Sequence, residues 1–315
     1  MTRQEAARFL ERARQIVQAT PKRPDAPLPP AYRAAVEAHF HRLDGEGANI
    51  TNFPCDLRLI PTRDIRNGAS ILSARHYFYG LSENLLLIRL LTGYDGSGQL
   101  LDVGCGFGRT ALALFHLIHP PGSYTGFDIN PKIIAFAQKL FEQKERGGLF
   151  HFDHFPIANS FYPQENATAS AEEFQFPYEA SRFDLVVMFS VFTHLCTAAM
   201  TNYVLNISRV MRAGGRVLTS AFLLENTPTE QTTEKLWRNN PSRRTPQESP
   251  DPRDHGKLKV INPAVPDHMV LYRLQTLTSA FQEAGFSLVG QPHWGSWSGR
   301  PDFLSHQDYL VFQKS

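Results

Sequence analysis

A glycine-rich turn follows a short apolar run at residues 100–110, where the chain reads LLDVGCGFGRT. Gly104, Gly106 and Gly108 alternate with other residues, and Asp102 stands two residues before the first glycine. Glycine allows the backbone to bend through left-handed conformations and to approach a ligand closely. A turn of this kind between a strand and a helix predicts an α/β fold with a nucleotide held against the bend.

Apolar runs alternate with amphipathic stretches from residue 99 onwards, which is the pattern of a parallel sheet covered by helices on both faces. The pattern predicts strands at 99–104, 123–129, 149–155, 182–190, 215–224, 286–294 and 308–313. It predicts helices over 109–119, from Pro131 to Phe141 behind an Asn130 cap, over 198–212 and over 268–284. Because only about 13 residues separate the last two strands, too few for a helical crossover, we expect them to pair antiparallel.

The N-terminal part of the chain and one internal segment depart from this rhythm. Helical patterns lie at 2–19, 31–43 and 82–93, with a proline-rich joint at 20–30. We therefore expect a small helical N-terminal cap at residues 1–95, in front of a core at residues 96–315. Within that core, residues 225–263 are rich in proline and charge and are predicted to form a lid-like insertion.

The composition argues for a globular protein rather than a nucleic-acid or membrane binder. The chain has 315 residues, 42% of them hydrophobic, and 32 basic against 30 acidic side chains give a formal net charge of +2. Cys55, Cys105 and Cys196 are far apart, which fits a reduced compartment better than a disulfide framework or a zinc site. Since no apolar run approaches ~20 residues and no secretion signal is visible, we expect a soluble, cytoplasmic protein without a membrane span.

Two acidic residues stand where the predicted strands end. Asp128 closes the second strand 20 residues after Gly108, where a carboxylate can accept both hydroxyls of a ribose. Asp153 follows the third strand, where an adenine edge could be read. The glycine spacing is G-x-G-x-G, whereas a dinucleotide fold uses G-x-G-x-x-G. Because ligands of such sheets bind beyond the carboxyl ends of the strands, we expect these residues to share one crevice.

Four segments, taken in order, resemble the class I S-adenosylmethionine-dependent methyltransferases. They are LDVGCGFGR (101–109), GFDIN (126–130), FDLVVMFSVFTHL (183–195) and ISRVMRAGGRVLTSAF (207–222). The resemblance runs from about residue 95 to the end of the chain and includes the late helix and the terminal strand pair. It implies a doubly wound, Rossmann-like sheet of seven strands, with S-adenosyl-L-methionine as methyl donor and S-adenosyl-L-homocysteine as product.

The same resemblance implies which residues contact the cofactor. Gly104, Cys105 and Gly106 would pass behind its methionine and ribose parts, and Asp128 would hold the ribose hydroxyls. The remaining implied contacts are Asp153 and His154 near the adenine, Phe189 at the sulfonium end, and Asp102 and Ile129 beside the motif residues already named. The cofactor has no phosphate, so no basic anchor is needed in the glycine turn.

His194 is the candidate catalytic residue. It stands in SVFTHL just past the fourth strand, beside the expected position of the methyl group, and an imidazole suits proton transfer at neutral pH. A histidine here can instead orient the next helix or bind a backbone carbonyl. His268 and His293 are alternatives that could reach a substrate, whereas the helix dipole accounts for His116 and His119.

No metal site is predicted. His151, Asp153 and His154 stand close together in HFDH, but consecutive residues of a strand point to opposite faces of its sheet, so three ligands could not converge there. Two other segments are candidates to shape an acceptor pocket, namely the aromatic insertion at 159–182 and the stretch HWGSWSGRPDFLSHQD at 293–308. Their aromatic residues could equally bury the edge of the sheet. Trp294, Trp297, Arg300 and Asp308 are the candidates in the second segment.

These observations lead to the hypothesis of an O-methyltransferase acting on a hydroxyl of a small molecule or glycan, as in secondary metabolism. The D/N-P-P-Y/F motif of nucleic-acid amine methylation is replaced by FSVF at 189–192, which argues against a nucleic-acid partner. N-methylation or C-methylation of a small molecule, a non-catalytic protein that binds S-adenosylmethionine, and a nicotinamide oxidoreductase remain alternatives. The sequence leaves the acceptor and the oligomeric state open.

Overall fold

The computed structural model describes residues 74–117, 122–142, 147–163, 166–226, 246–300 and 302–315. Most of the predicted cap, including the helices expected over 2–19 and 31–43, lies outside the described residues, as does 227–245 of the predicted lid. The third predicted cap helix is present and begins earlier than expected, at Ala74.

The described helices and strands are as follows. The helices are α1 (Ala74–Thr92), α2 (Arg109–Leu117), α3 (Pro131–Glu142), α4 (Thr197–Val210) and α5 (Leu274–Glu283). The strands are β1 (Gln99–Val103), β2 (Ser123–Asp128), β3 (Phe150–His154), β4 (Ile157–Ala158), β5 (Ala169–Ser170), β6 (Phe183–Met188), β7 (Met211–Leu223), β8 (Gln247–Glu248), β9 (Leu258–Val260), β10 (Val270–Tyr272), β11 (Phe286–Leu288) and β12 (Asp308–Lys314).

Seven of these strands form the predicted doubly wound sheet. Its order is β3-β2-β1-β6-β7-β12-β11, with the first five strands parallel. β12 runs antiparallel to both β7 and β11, which confirms the antiparallel pairing expected for the end of the chain. The strand order reverses between β1 and β6, and a reversal of this kind opens a crevice at the carboxyl ends of the two strands.

A ribbon of three short strands, β10, β9 and β8, extends the sheet from the end of β7. β10 pairs in parallel with Phe222 and Leu223 at the end of β7, and β9 and β8 follow antiparallel. The prediction of a helix from residue 268 was therefore wrong at its start, because 270–272 is a strand. Val270, Leu271 and Tyr272 are all buried. Periodicity alone does not separate a short continuous apolar run in a strand from one in a buried helix.

Smaller boundary differences follow from local packing. β7 begins at Met211, so α4 ends at Val210, two residues before the predicted end. β11 ends at Leu288, and the predicted remainder of that strand makes a backbone hydrogen bond from Val289 N to Val311 O and an isolated bridge between His293 and Tyr309. Residues 246–263 of the predicted lid contain β8 and β9, so this half of the segment belongs to the sheet.

The helices pack their apolar stripes on the sheet, as the sequence pattern predicts. In α3, the Asn130 side chain accepts hydrogen bonds from the N–H of Lys132 at 3.1 Å and of Ile133 at 3.4 Å, and Pro131 opens the helix. This is the predicted cap, which satisfies amide groups that have no partner within the helix. On the other side, Phe281 of α5 stacks on Phe312 of β12, with the ring centroids 3.9 Å apart.

In the described part of the chain, no helix combines the length and the apolar character needed to cross a lipid bilayer. The carboxyl ends of β1, β2 and β6 meet at one edge of the sheet, because the three strands are neighbours and parallel. The residues that follow these ends define the candidate site.

Candidate functional site

A cavity of about 240 Å³ opens at this edge of the sheet. Eight residues predicted from the sequence line it, and they come from the carboxyl ends of β1 and β2 and from the segments that follow β1, β2 and β6. They are Asp102, Gly104, Cys105, Gly106, Asp128, Ile129, Phe189 and His194. The structure therefore brings together residues that lie up to 92 positions apart in the chain.

The glycine turn leaves room for a ligand at its middle residue. Gly104, Gly106 and Gly108 have φ angles of 69°, 54° and 73°, in the left-handed region that glycine adopts without strain. A Cβ at Gly104 would lie 2.7 Å from the Val191 side chain, whereas a Cβ at Gly106 would meet nothing within 4 Å. A side chain at position 106 would project into open space at a residue that lines the cavity, so the backbone there is exposed for close contact with a ligand.

Asp128 holds the glycine turn against the end of β2. Its Oδ2 accepts a hydrogen bond from Gly106 N at 3.0 Å, and its Oδ1 accepts one from Asn130 N at 2.9 Å. Burial raises the pKa of this carboxyl, while these two backbone bonds oppose the shift. Because each carboxylate oxygen can accept more than one hydrogen bond, the group can still take two sugar hydroxyls.

Asp102 and Cys105 line the cavity, and both also form hydrogen bonds with other residues of the protein. The Asp102 Oδ2 accepts a hydrogen bond from Tyr124 Oη at 2.7 Å, and burial raises the pKa of Asp102 to about 7. Burial likewise raises the pKa of the Cys105 thiol well above its ordinary value. The Cys105 N–H donates to Phe127 O at 2.9 Å, which fixes the start of the turn to β2.

Two predicted adenine contacts lie outside the cavity lining. Asp153 accepts a hydrogen bond from Tyr178 Oη at 3.0 Å, and the His154 Nε2 lies 3.1 Å from Ile129 O. The chain returns to the cavity a few residues later, where Ile157, Ala158 and Asn159 line it. Pro156, which cannot donate a ladder hydrogen bond, is the signal in the sequence that β3 has ended before these residues.

His194 ends a short 3-10 turn, Phe192–His194, that follows β6. Its Nδ1 lies 2.8 Å from the backbone carbonyl oxygen of Asp267. Because that oxygen only accepts, Nδ1 carries the proton of the neutral ring and Nε2 carries the lone pair. Burial lowers the pKa of His194, and the contact with Asp267 partly offsets this effect. The neutral ring is therefore the favoured form at neutral pH.

Aromatic side chains from the 159–182 insertion surround this imidazole. Phe161 lies parallel to His194, with centroids 5.3 Å apart and 6° between the planes, and Tyr162 meets the same ring edge-on at 5.3 Å. The other aromatic residues of the insertion have a different role, because Phe176 and Tyr178 are buried and pack around Phe127. The insertion thus both borders the site and fills the core.

The residues directly after β6 also line the cavity. Phe189 is half-buried, lines the cavity, and meets Tyr309 edge-on at 6.2 Å. Ser190 has a φ of 61°, a left-handed conformation that is uncommon outside glycine. Its N–H donates to Ser220 Oγ at 2.8 Å, and its Oγ donates to Gln307 Oε1 at 3.0 Å. These bonds hold the strained residue in place beside the cavity.

Several cavity residues escaped the sequence analysis. Asn84 comes from α1 and donates to Thr110 Oγ1 at 3.3 Å, and Tyr203 comes from the inner face of α4. Tyr203 lies in the helix that the sequence analysis predicts over 198–212. Neither residue belongs to a motif, so their presence depends on how the helices pack and could not be derived from spacing.

The 293–308 segment does not line this cavity. The buried carboxylate of Asp308 instead accepts hydrogen bonds from donors of four residues, at 2.6 to 2.8 Å, and burial raises its pKa to about 6. The donors are Leu223 N, Gly295 N, Trp297 Nε1 and Asn226 Nδ2. Arg300 donates to Asn226 and lies over the Trp294 ring. The predicted pocket residues of this segment mainly tie it to the end of β7.

Comparison with known proteins finds one family model and several solved structures that are similar to this chain. A family model for a methyltransferase domain matches residues 101–217. A methyltransferase from Methanosarcina mazei is 17% identical, with 71% of this chain and 96% of that chain covered and a TM-score of 0.47. A protein from Pyrococcus horikoshii OT3 is 15% identical, with 82% and 97% covered and a TM-score of 0.49. The geranyl diphosphate methyltransferase in complex with SAM is 10% identical, with 82% and 94% covered and a TM-score of 0.50.

The similarity to the geranyl diphosphate methyltransferase structure supports the Rossmann-like fold. The family model indicates the class of protein, because it describes a methyltransferase domain. Residues 101–217 are therefore a methyltransferase domain. This match supports an enzyme with S-adenosylmethionine as cofactor, in agreement with the sequence resemblance to the class I S-adenosylmethionine-dependent methyltransferases. The open space at Gly106 and the carboxylate of Asp128 fit this cofactor, which carries a ribose and no phosphate.

Proposed function

We propose that the protein is an O-methyltransferase that methylates a hydroxyl group of a small molecule or glycan, with His194 as the general base. The observation that carries the proposal is the state of the His194 ring. It lines the same cavity as Asp128 and Gly106, and its Nδ1 is bonded to the Asp267 carbonyl, so the lone pair is on Nε2. A neutral, oriented imidazole is what deprotonation of an alcohol requires.

In this proposal different residues of the cavity wall bind different parts of the cofactor. Asp128 accepts the ribose hydroxyls, Gly104, Cys105 and Gly106 present backbone to the methionine and ribose parts, and Ile129 packs on the adenine. Ile157 and Ala158 are better placed than Asp153 and His154 to border the adenine, because only the first pair lines the cavity. Phe189 lies at the methyl end.

The chemistry assigned to the chain is proton transfer and orientation. The bound cofactor supplies an electrophilic methyl group on a sulfonium sulfur. His194 accepts the proton that the acceptor hydroxyl loses as its oxygen is methylated, and later returns it to water. Phe189, Tyr162 and His194 border the space where the acceptor oxygen must approach, and holding it at attack distance supplies much of the rate enhancement.

Two measurements test this function. Calorimetry with S-adenosylhomocysteine and with NAD⁺ should show binding of the first alone, because the cavity offers no phosphate cradle of the dinucleotide kind. Incubation of the protein with labelled S-adenosylmethionine and a cell extract should then yield a methyl ether. A labelled amine or carbon product would replace O-methylation by N- or C-methylation. A protein that binds the cofactor but labels nothing would support the non-catalytic alternative.

His194→Ala should keep its affinity for S-adenosylhomocysteine and lose about 10²- to 10⁴-fold in turnover, the usual contribution of a general base. Unchanged turnover would remove His194 as the base. The matched control is His255→Ala, since His255 also bonds a backbone carbonyl, that of Ser249 at 3.1 Å, but does not line the cavity.

A further inference from the structure

The His194 ring is held by two inserted segments that are far apart in the chain. The first is the turn at 159–162, and the second is the 3-10 turn Pro266–His268 that precedes β10. Both turns contact His194 directly, and they also contact each other. The arrangement goes beyond the family motif, because neither segment belongs to the strands or to the glycine turn.

Asp267 is bound at both its side chain and its backbone. Its Oδ2 accepts hydrogen bonds from Ser160 N at 2.9 Å and from Ser160 Oγ at 2.7 Å. The Asp267 N–H also lies 3.3 Å from Ser160 Oγ. The carbonyl of the same residue accepts the bond from His194 Nδ1 at 2.8 Å. The carboxylate therefore anchors the turn whose carbonyl meets the imidazole.

The first turn restrains the same histidine in two further ways. Asn159 Nδ2 donates to the His194 carbonyl oxygen at 3.0 Å, which fixes the backbone. Phe161 stacks between two imidazoles, with centroids 5.3 Å from His194 and 4.6 Å from His268. The ring plane of His194 is thus set by Phe161, and its proton is set by the Asp267 carbonyl.

We propose that Asp267 and Ser160 are positioning residues for His194, which hold the Asp267 carbonyl against Nδ1 and so keep the basic lone pair on Nε2. The proposal rests on the proposed function of His194 as base. It gives a reason for the hydrogen bond between the Asp267 carboxylate and Ser160, a residue 107 positions away in the chain. Loss of the anchor would release the turn and allow both tautomers of the ring.

The titratable groups that face His194 are Asp267, His268 and Tyr162. Burial is the main cause that lowers the pKa of His194, and the charge of His268 also lowers it, whereas the Asp267 contact and a backbone hydrogen bond with His268 raise it. Release of the turn weakens the effect of burial and also the effect of Asp267, and these two changes move the pKa in opposite directions. The tautomer of the ring is therefore the property that reports the positioning.

The test is nitrogen NMR of the full-length protein labelled with ¹⁵N-histidine, in which long-range proton–nitrogen correlations report the tautomer of each ring. His194→Asn identifies the signal by its loss. In the unmodified protein we expect a predominant Nδ1–H form. In Asp267→Ala and, to a smaller extent, in Ser160→Ala we expect a mixture of the two tautomers.

Two further variants separate positioning from general destabilisation. Asp267→Asn keeps an oxygen that can accept from Ser160, so it should retain the tautomer of the unmodified protein. The matched control is Asp251→Ala, since Asp251 also stands beside a proline-led 3-10 turn, Pro252–Asp254, and does not contact His194. All variants should bind S-adenosylhomocysteine with unchanged affinity. If Asp267→Ala does not fold, Ser160→Ala and Asp267→Asn still decide the question.

The tautomer decides the proposal without a known acceptor. Should Asp267→Ala and Ser160→Ala leave the tautomer unchanged, the positioning role is wrong. Methyl transfer from labelled S-adenosylmethionine to a cell extract is the second readout, and it should fall about 10-fold in Asp267→Ala as part of the base contribution is lost. A shifted tautomer with undiminished transfer would leave the positioning intact and would overturn the role of His194 as base.

Discussion

The carboxylate of Asp128 accepts a hydrogen bond from the backbone N–H of Gly106, 22 positions earlier in the chain, at 3.0 Å. This bond joins the two halves of the cofactor site, because Asp128 ends β2 and Gly106 lies in the turn after β1. It also orients the carboxylate before any ligand binds.

Asp128→Asn should weaken binding of S-adenosylhomocysteine about 10- to 100-fold, because hydrogen bonds to a charged acceptor contribute about 1.5–3 kcal/mol. Calorimetry measures the change. The matched control is Asp153→Asn, whose carboxylate accepts from Tyr178 and does not line the cavity. We expect no change in affinity there. If Asp153→Asn loses as much affinity for S-adenosylhomocysteine as Asp128→Asn, Asp153 contacts the adenine as the sequence analysis predicted.

Gly106→Ala should abolish most cofactor binding while it costs only about 1 kcal/mol of stability, which is the strain of a non-glycine residue in a left-handed conformation. The added methyl group projects into the space that the ligand needs. Gly256→Ala is the control, since Gly256 also has a positive φ of 74° with nothing within 4 Å of an added Cβ, and does not line the cavity. Both variants should show a similar drop in the free energy of unfolding. If their cofactor affinities also agree, the close approach at Gly106 is disproved.

Asp102 should make the stability of the protein depend on pH. Its pKa is raised from 3.8 to about 7 by burial, so the folded state binds a proton more tightly than the unfolded state. The free energy of unfolding should therefore fall as the pH rises from 4 to 7, by up to about 4 kcal/mol from this group.

Asp102→Asn removes the titration and should flatten this part of the profile. Urea denaturation of both proteins at several pH values gives the comparison, and the difference between the two curves isolates Asp102 from Asp128 and Asp308, whose pKa values are also raised. Parallel curves would show that Asp102 has an ordinary pKa in the folded protein.

A protein reduced to residues 61–315 should bind S-adenosylhomocysteine as tightly as the full chain. Every residue that lines the described cavity lies at or beyond Asn84. The predicted cap is then tested by methyl transfer, which should fall in the shortened protein if the N-terminal residues cover the acceptor and exclude water. Equal methyl transfer by the full chain and the shortened protein would contradict the capping hypothesis. Weaker cofactor binding by the shortened protein would show that the N-terminal residues contribute to cofactor binding.

The sequence predicted the parts of the molecule that local rules determine. Alternation of strands and helices predicted the seven-stranded sheet, and the glycine spacing with Asp128 predicted one face of the cavity. The ribbon of β8, β9 and β10 was missed, because the run from Val270 to Tyr272 is apolar throughout and periodicity does not distinguish strand from helix there. Tyr203 and Asn84 were missed because only the packing of α4 and α1 brings them to the site.

The position of β10 has a consequence for how this enzyme could vary. β7 ends at Leu223, and Asn226, three residues later, donates to Asp308. After residues 227–245 the ribbon begins with β8, and its strand β10 pairs with the last residues of β7. The residues on both sides of that stretch are therefore held by hydrogen bonds near the carboxyl end of β7. Changing the number of residues between two fixed ends costs little free energy, since the entropy of closure grows slowly with length. Evolution could lengthen or rewrite that stretch to suit another acceptor while leaving the methyl-donor half untouched.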